Sequence, residues 1–256
     1  MKKKKILVLG SNGFIGQNIL RFLNTKKYDL YGCYLNRKPK INNVIFKKAN
    51  LLRKSEVEKI FNNMDIVINA AAITTGAKDI ISKPFMHVTD NSIINALVLR
   101  VAFEKKVKHL IMLSCTVMYR SSNKPISEKD YKENQRPYDK YFGGAWMKVY
   151  MEKTAEFFSK LSKCKYTIIR HSNIYGPYDN YNLNTSHFMA ATIKKVIDSK
   201  NVINVWGDGT EKRDLLYVND LCDFIDKAIK RQKLKFRIYN VGLGKAYSIK
   251  SIVKKT

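Results

Sequence analysis

Three glycines between a short apolar run and a helix-like segment constrain the fold of this chain most strongly. Ile6 to Leu9 is wholly apolar, and Gly10, Gly13 and Gly16 follow it in the spacing G-x-x-G-x-x-G. An apolar run is typical of a buried parallel strand, and the glycines permit a tight turn, close approach to a pyrophosphate and close helix packing. The following helix points its N-terminus at the phosphates. We predict a dinucleotide site, rather than a merely structural turn, formed by Gly10, Ser11, Asn12, Gly13, Phe14, Ile15 and Gly16.

Segments typical of strands and helices alternate along the first 170 residues. The strand-like runs are 29–35, 44–46, 64–69, 109–113 and 166–170, and the helical segments include 54–62, 92–105 and 146–161. Such alternation requires a parallel sheet with helices on both faces. We predict an α/β fold, a doubly wound parallel sheet (Rossmann fold), with a nucleotide-binding domain over 1–175. A small C-terminal substrate-binding region over 176–256 is expected to be interleaved with the last sheet strands.

Composition excludes several classes of protein. With 256 residues, 45% of them hydrophobic, the chain can build a globular core. The net charge of +27 comes from lysines spread over almost every segment, which favours a small anionic substrate and no nucleic-acid partner. No apolar run suits a membrane span or a signal peptide, so we expect a cytoplasmic protein without membrane contact. The four cysteines and four histidines are dispersed, so no metal site is expected.

The loop after the second predicted strand bears on the choice of cofactor. An NAD site usually places an acidic residue about 20 positions after the last glycine, where it binds the ribose 2′-hydroxyl. That count reaches Asn36, Arg37 and Lys38, with no carboxylate. Arg37 and Lys38 are suited to a 2′-phosphate, which predicts NADP(H) in preference to NAD(H). The alternative is a solvated basic loop in a lysine-rich chain.

Further motifs lie along the rest of the chain. They are Asn91, Leu113-Ser114-Cys115 leading to Tyr119, Arg170-His-Ser-Asn173-Ile-Tyr175-Gly176-Pro177-Tyr-Asp-Asn180, Asn184-Thr-Ser186-His187, and Val205-Trp206-Gly207-Asp-Gly209-Thr-x-x-Arg213 running on to Asp220. In this combination the chain resembles the extended short-chain dehydrogenases/reductases that act on nucleotide sugars, and among them the GDP-fucose synthases, over nearly its whole length. The resemblance implies a nucleotide-sugar substrate and a homodimer. It also implies cofactor contacts by Ala70, Ala71, Ala72, Asn91, Lys148 and Asn173.

The resemblance implies a catalytic pair of a tyrosine and a lysine four residues later, in which Lys148 is the lysine. In such enzymes the tyrosine exchanges a proton with a sugar oxygen, and the lysine lowers the tyrosine pKa and binds the nicotinamide ribose. This chain departs from the pattern, because Gly144 stands at the tyrosine position. Tyr141 or Tyr138 replaces it only if Gly143 and Gly144 begin the helix and the loop before them folds back. In an unbroken helix, Tyr141 would lie about 10 Å from Lys148 along the axis and would simply pack the loop.

Two further catalytic assignments rest on the resemblance. A hydroxyl is expected four residues before Tyr119, where this chain has Cys115 between Ser114 and Thr116. If the loop is two residues longer than usual, Ser114 and Cys115 form the Ser-Cys pair of the GDP-fucose synthases. Cys115 then acts with His187 as acid and base in an epimerisation. The alternatives are a buried cysteine at a strand end and a structural histidine.

The resemblance also implies substrate contacts, by Asn173, Asn184, His187, Lys195, Trp206 and Arg213. Relatives continue beyond the position of Thr256, so part of the substrate-binding region is expected to be missing. Two functions follow. The first is an NAD(P)-dependent epimerase/reductase of a 4-keto-6-deoxy nucleotide sugar. The second is a binding module that has kept the cofactor fold and lost the chemistry, consistent with the missing tyrosine.

Overall fold

A seven-stranded parallel sheet forms the centre of the molecule. The computed structural model describes residues 3–23, 28–73, 84–199, 203–204 and 207–254. Its strands are β1 (Lys4–Leu9), β2 (Tyr28–Tyr34), β3 (Ile45–Lys48), β4 (Ile66–Asn69), β5 (His109–Cys115), β6 (Lys165–His171) and β9 (Phe236–Val241). They lie in the order β3-β2-β1-β4-β5-β6-β9, and every pairing in the sheet is parallel. The order reverses between β1 and β4, which is the arrangement of a Rossmann sheet. The predicted fold class is confirmed.

Helices cover both faces of this sheet. Along β1, Ile6 and Val8 pack into the core layer under α1 (Phe14–Phe22) and α6 (Val218–Arg231). Leu7 and Leu9 point the other way, into the layer under three further helices. These are α2 (Lys54–Phe61), α3 (Pro84–Glu104) and α4 (Phe142–Leu161). Because both faces are buried at its centre, the sheet's central strands β1, β4 and β5 carry continuous apolar runs, 6–9, 66–68 and 110–113.

The chain beyond β6 adds a small three-stranded sheet and returns to the large one. The small sheet has the order β10-β8-β7, with β7 (Asn173–Tyr175) parallel to β8 (Lys212–Tyr217) and β10 (Ala246–Ser248) antiparallel to it. Two helices also belong to this part, α5 (Phe188–Asp198) and α7 (Ile249–Val253). In contrast, α6 packs against α1, and β9 pairs with β6. The region 176–256 therefore supplies one helix and one strand of the nucleotide-binding fold.

Several residues of the predicted site lie at the carboxyl ends of the strands. Gly10 follows β1, Ala70 follows β4, and Cys115 and His171 are the last residues of β5 and β6. Ligands bind at this edge in open α/β sheets. Within the described residues, no helix is long and apolar enough to cross a membrane. The same residues contain no group of three or more His, Cys, Asp or Glu side chains placed to hold a metal ion.

Candidate active site

The glycine loop after β1 has a shape that only glycines permit. Gly10 has a φ of +72°, and a Cβ there would lie 2.7 Å from the Ala71 Cα. A Cβ on Gly16 would lie 2.2 Å from the Gly10 carbonyl oxygen, so the first turn of α1 packs directly on the loop. The loop therefore fits the predicted dinucleotide cradle, with the N-terminus of α1 open toward a phosphate group.

Ser11 anchors this loop to the neighbouring strand. Its side chain is fully buried, and both its backbone N–H and its hydroxyl donate to the Cys33 carbonyl oxygen, at 2.9 and 2.8 Å. Asn12 and Gly13 are exposed at the tip of the loop, and Phe14 and Ile15 are half-buried at the start of α1. The cofactor-facing surface of the loop is thus formed by Asn12 to Ile15, while Ser11 holds the loop in place.

A cavity of about 560 Å³ opens beside the glycine loop. Three segments line it, the loop and α1 (Asn12, Gly13, Phe14, Gln17, Arg21), the turn after β2 (Arg37, Lys38, Pro39, Lys40) and a later segment (Tyr178, Asp179, Asn180). Asn36 lies in the same turn, exposed, and does not line the cavity. Arg37 and Lys38 therefore lie beside the glycine loop, where the sequence predicted them.

The third wall of the cavity is tied to α1, which the sequence did not predict. The Arg21 guanidinium stacks 4.4 Å from the centre of the Tyr178 ring and donates to the Lys40 carbonyl oxygen at 3.2 Å. Asn18 donates to the Pro177 carbonyl oxygen at 2.8 Å. Arg21 thus connects the turn after β2 with the segment 178–180. These contacts join residues about 160 positions apart, so the periodicity of the sequence could not predict them.

Asn91 shapes the loop after β4. Its side-chain oxygen accepts from the Ile73 N–H at 2.8 Å, and its side-chain nitrogen donates to the carbonyl oxygens of Ile73 and His87. The Ala70 N–H donates a hydrogen bond to the Leu9 carbonyl oxygen, and the Ala71 N–H donates to the Asn69 side-chain oxygen. Ala72 is exposed. The Ala70–Ala72 segment lies directly against Gly10, and Asn91 is hydrogen-bonded to Ile73, the residue that follows this segment.

A buried ion pair lies below the ends of β5 and β6. Arg170 donates to Glu152 through Nε at 3.0 Å and through a terminal nitrogen at 2.6 Å, and both side chains are 4% exposed or less. The Ser114 hydroxyl donates to the same carboxylate at 2.6 Å. Arg170 also donates to the Tyr119 hydroxyl at 2.6 Å, which itself donates to the Asn240 side chain. The Ser114 hydroxyl, predicted to meet a substrate oxygen, is therefore already bonded within the protein.

Lys148 and Cys115 lie together at the end of β5. The Lys148 Nζ donates to the Leu113 carbonyl oxygen at 2.8 Å. Desolvation raises the pKa of the Cys115 thiol, whereas the nearby Lys148 ammonium lowers it. The Lys148 ammonium thus acts electrostatically on the Cys115 thiol, an interaction that the sequence did not predict.

His171 is a residue that the sequence reasoning missed. It is directly opposite Cys115 in the β5–β6 register, so both side chains point to the same face of the sheet. Its Nδ1 lies 2.8 Å from the Ser172 carbonyl oxygen, which can only accept, so Nδ1 carries the proton and Nε2 is an acceptor. The pKa of His171 is lowered to about 4, mainly by burial and in smaller part by the charges of Lys148 and His187. Lys148 thus acts electrostatically on both Cys115 and His171, and His187 acts on His171.

Tyr141 lies just outside the helix that carries Lys148. Helix α4 begins at Phe142, and Tyr141 is its N-cap after a 3₁₀ turn over Asp139–Tyr141. The helix predicted over 146–161 therefore begins four residues earlier, next to Gly143 and Gly144. Tyr141 is seven residues before Lys148, a separation of about 10 Å along a helix axis. The centre of its exposed ring lies 6.4 Å from the centre of the Tyr138 ring, so the two tyrosines contact each other beside the N-terminus of α4.

The remaining predicted substrate contacts are spread over the small sheet and its loops. Asn173 begins β7, two residues after β6 ends, and its side chain donates to the Asp214 carbonyl oxygen, next to Arg213 on β8. Arg213 is paired with Glu211, and Lys195 donates to the Asn204 carbonyl oxygen. His187 caps α5, and Asn184 lies exposed in the loop before it. The prediction for Trp206 lies outside the described residues.

The Lys148–Cys115 proximity predicts the reactivity of the thiol. Cys33, Cys164 and Cys222 are buried whereas Cys115 is half-buried, so Cys115 is expected to be alkylated first. Replacing Lys148 with methionine removes the cation that lowers the thiol pKa. We expect the pH midpoint of iodoacetamide alkylation to move upward in K148M.

The matched control is K153M, which changes an exposed lysine of the same helix that pairs with Glu133 and Glu156. It should leave the alkylation profile of the parent protein unchanged. An identical midpoint in K148M and the parent would show that the lysine does not act on the thiol.

Comparison with known proteins agrees with this geometry. The chain is similar to GDP-L-colitose synthase of Yersinia pseudotuberculosis, with 27% identity over 98% of this chain and 80% of that protein. It is similar to GDP-L-fucose synthase of Azorhizobium caulinodans, with 27% identity over 97% of this chain and 78% of that protein.

Solved structures share the fold. A UDP-glucose 4-epimerase from Thermotoga maritima, solved with UDP-glucose, superposes with a TM-score of 0.83 at 23% identity, covering 98% of this chain and 80% of the other. The model of the NAD dependent epimerase/dehydratase family matches residues 6–242. Its match spans the glycine loop, the buried ion pair and the cluster around Lys148. The chain belongs to the NAD dependent epimerase/dehydratase family.

Proposed function

We propose that this protein is an NAD(P)-dependent epimerase/reductase acting on a 4-keto-6-deoxy nucleotide sugar. The observation that carries the proposal is the placement of Lys148 beside Cys115 at the carboxyl edge of the sheet, with His171 opposite Cys115 on the neighbouring strand. A glycine cradle and a cationic cavity lie on the same edge. The similarity to a GDP-L-colitose synthase and a GDP-L-fucose synthase supports this class of substrate.

Each of these side chains has a role in the proposed reduction and epimerisation. When bound, the cofactor supplies a hydride to the carbonyl carbon of the sugar. Lys148 orients ligand hydroxyls and stabilises negative charge that develops at the carbonyl oxygen, which then takes its proton from solvent water. For epimerisation, the Cys115 Sγ and the His187 imidazole give and take a proton at the carbon next to the ketone. The neutral His171 Nε2 accepts hydrogen bonds and adds no charge at neutral pH.

Turnover of nucleotide sugars tests this proposal. Incubation with NADPH and a panel of GDP- and dTDP-linked 4-keto-6-deoxy sugars should oxidise NADPH at least with one of them. In K148A we expect turnover to fall by two orders of magnitude or more, on the order of the effect of a positioned acid–base group. The control K153A should match the parent. No NADPH oxidation with any member of the panel would contradict the reductase proposal.

A second candidate is a binding module that has kept the fold and lost the chemistry. It is favoured by the lack of a tyrosine four residues before Lys148, where Gly144 stands, and by the hydrogen bond of the Ser114 hydroxyl to Glu152. In that case, calorimetry would detect cofactor or nucleotide-sugar binding without turnover. The variants Y141F and K148A would then differ from the parent in binding alone.

For the cofactor, we propose a preference for NADP(H) over NAD(H). Arg37 and Lys38 line the cavity beside the glycine loop, and Arg21 and Lys40 add two more cations to its walls. Asp179 is the acidic residue of this lining, so four cations face one carboxylate there. The charge around the cavity therefore suits a phosphate on the adenosine ribose.

Removing the Arg37 guanidinium tests this preference. A charge-assisted hydrogen bond contributes about 1.5–3 kcal/mol, so R37A should weaken NADPH binding by about one to two orders of magnitude. NADH binding should stay nearly constant, because NADH has no 2′-phosphate. R53A, at an exposed arginine of α2, is the matched control. Equal weakening of both cofactors, or tighter binding of NADH by the parent, would contradict the assignment.

We also propose that the protein forms a homodimer through the outer faces of α3 and α4, which pack side by side. Four large apolar side chains are exposed there, Ile93 on α3 and Tyr150, Phe157 and Leu161 on α4, each with 46% or more of its surface accessible. Two copies related by a two-fold axis would cover this patch on both partners.

Light scattering after size-exclusion chromatography measures this association. The parent should elute as a dimer, and F157E should be a monomer, because the charge would be buried in an apolar interface. L234E introduces the same charge at an exposed leucine between α6 and β9 and should remain dimeric. A monomeric parent, or a dimeric F157E, would overturn this interface.

A further inference from the structure

We propose that the surface at the amino ends of β5, β6 and β9 binds the headgroups of anionic phospholipids. This surface is formed by the three turns that lead into these strands, 105–108, 162–165 and 231–235, and we call it the basic edge. It lies at the end of the sheet opposite the candidate active site, so the proposal does not depend on the nucleotide-sugar chemistry. It follows from unpaired cations that surround an exposed leucine.

The fold brings together lysines that lie far apart in the sequence. The Lys165 N–H donates to the Lys108 carbonyl oxygen at 3.0 Å, and the Tyr166 N–H donates to the Lys235 carbonyl oxygen at 2.7 Å. The three turns of the basic edge therefore lie side by side. Because β5, β6 and β9 are neighbours in the sheet, about 10 Å separates the first strand from the third.

Six cations of the basic edge have charge available for an external anion. All six are exposed, and none forms an ion pair within the part of the chain that the structure describes: Lys105, Lys106, Lys163, Arg231, Lys233 and Lys235. The carboxylates of the same region, Asp65, Glu104 and Asp226, are each paired with another lysine or arginine. The acidic side chains nearby therefore do not neutralise these six charges.

Helix ends account for only part of this positive charge. Helices α3, α4 and α6 all end at the basic edge, and cations stabilise the negative end of a helix dipole. Each helix end is equivalent to about half a negative charge, so three ends offset about 1.5 positive charges. Six cations exceed this several-fold. Lys233 and Lys235 also lie beyond the end of α6 at Arg231, outside its last turn.

A buried glutamine fixes the turn between α6 and β9. The Gln232 side chain is 6% exposed, and its nitrogen donates to the carbonyl oxygens of Tyr166 and Leu234, both at 3.0 Å. In contrast, the Leu234 side chain is 58% exposed, although its carbonyl oxygen is held from inside. Leu234 lies between Lys233 and Lys235, so the turn presents one apolar side chain between two cations on a firmly held backbone.

An anionic bilayer matches both parts of this surface. Lipid phosphates pair with the cations, and the leucine enters the boundary between headgroups and acyl chains. The phosphates of a nucleic acid would pair with the same cations but would offer Leu234 no apolar contact. Binding at a membrane surface needs no spanning segment, so the composition of the chain did not exclude it. A protein bound by this edge keeps the Lys148 site at the opposite edge, open to substrate.

Sedimentation with vesicles tests this proposal. The parent protein should bind vesicles of phosphatidylcholine that contain phosphatidylglycerol, should not bind phosphatidylcholine alone, and should bind more weakly as NaCl rises. We expect K233Q/K235Q to lower the affinity about thirtyfold, through the loss of two charges near the anionic surface. L234S should lower it about tenfold without a change of charge. The matched control is K124Q/K129Q, which removes two exposed lysines after β5 at the opposite edge and should stay within about twofold of the parent.

Three results would overturn the proposal. The first is a parent protein that does not sediment with vesicles containing phosphatidylglycerol. The second is equal weakening by K233Q/K235Q and K124Q/K129Q, which would show that the net charge of the whole protein drives binding. The third is binding to a short duplex DNA that is tighter than binding to the vesicles, is weakened by K233Q/K235Q and is unchanged by L234S. That result would assign the basic edge to nucleic acid.

Discussion

The ion pair between Arg170 and Glu152 determines the geometry of the active site. Both side chains are almost completely buried, and the pair joins β6 to α4 below the end of β5. Removing one partner of such a pair leaves an uncompensated buried charge, at a cost of about 3–5 kcal/mol. Ser114 and Tyr119 are bonded to the same pair, and the Arg170 guanidinium lies 5.2 and 5.0 Å from the ring centres of Tyr119 and Tyr131. Since Ser114 precedes Cys115 and Glu152 follows Lys148 by one helical turn, the pair fixes the position of both reactive groups.

A second constraint links the cavity beside the glycine loop to the predicted substrate-binding residues. The segment from Asn173 to His187 begins on the small sheet, passes along α1 and ends at the cap of α5. Along the way, Pro177 and Tyr178 are held by Asn18 and Arg21, and Tyr178 adopts a positive φ of 67°. A non-glycine residue in that conformation is maintained only when its surroundings determine it. The wall of the cationic cavity and the position of His187 therefore depend on the same stretch of chain.

The sequence predicted the parts of this molecule that obey local rules. The buried strands, the glycine loop and Lys148 follow from apolar runs, glycine spacing and motif position, and the structure shows each of them in the expected element. Two features escaped it for one reason, namely that each depends on contacts between distant segments. The stacking of Arg21 on Tyr178 and the opposition of Cys115 and His171 join residues far apart in the chain. The start of α4 at Phe142 was missed because two adjacent glycines are poor helix formers, and packing of α4 against α3 outweighs that preference.

Transfer of deuterium tests the central claim most directly, that this edge of the sheet carries a hydride to a sugar carbonyl. The protein would be incubated with a 4-keto-6-deoxy nucleotide sugar and NADPH deuterated at C4 of the nicotinamide, and the sugar product analysed by mass spectrometry. The account predicts a reduced sugar that carries one deuterium at the former carbonyl carbon, and loss of this product when Lys148 is replaced by alanine. A sugar recovered without deuterium, or a labelled product formed equally well without Lys148, would contradict it.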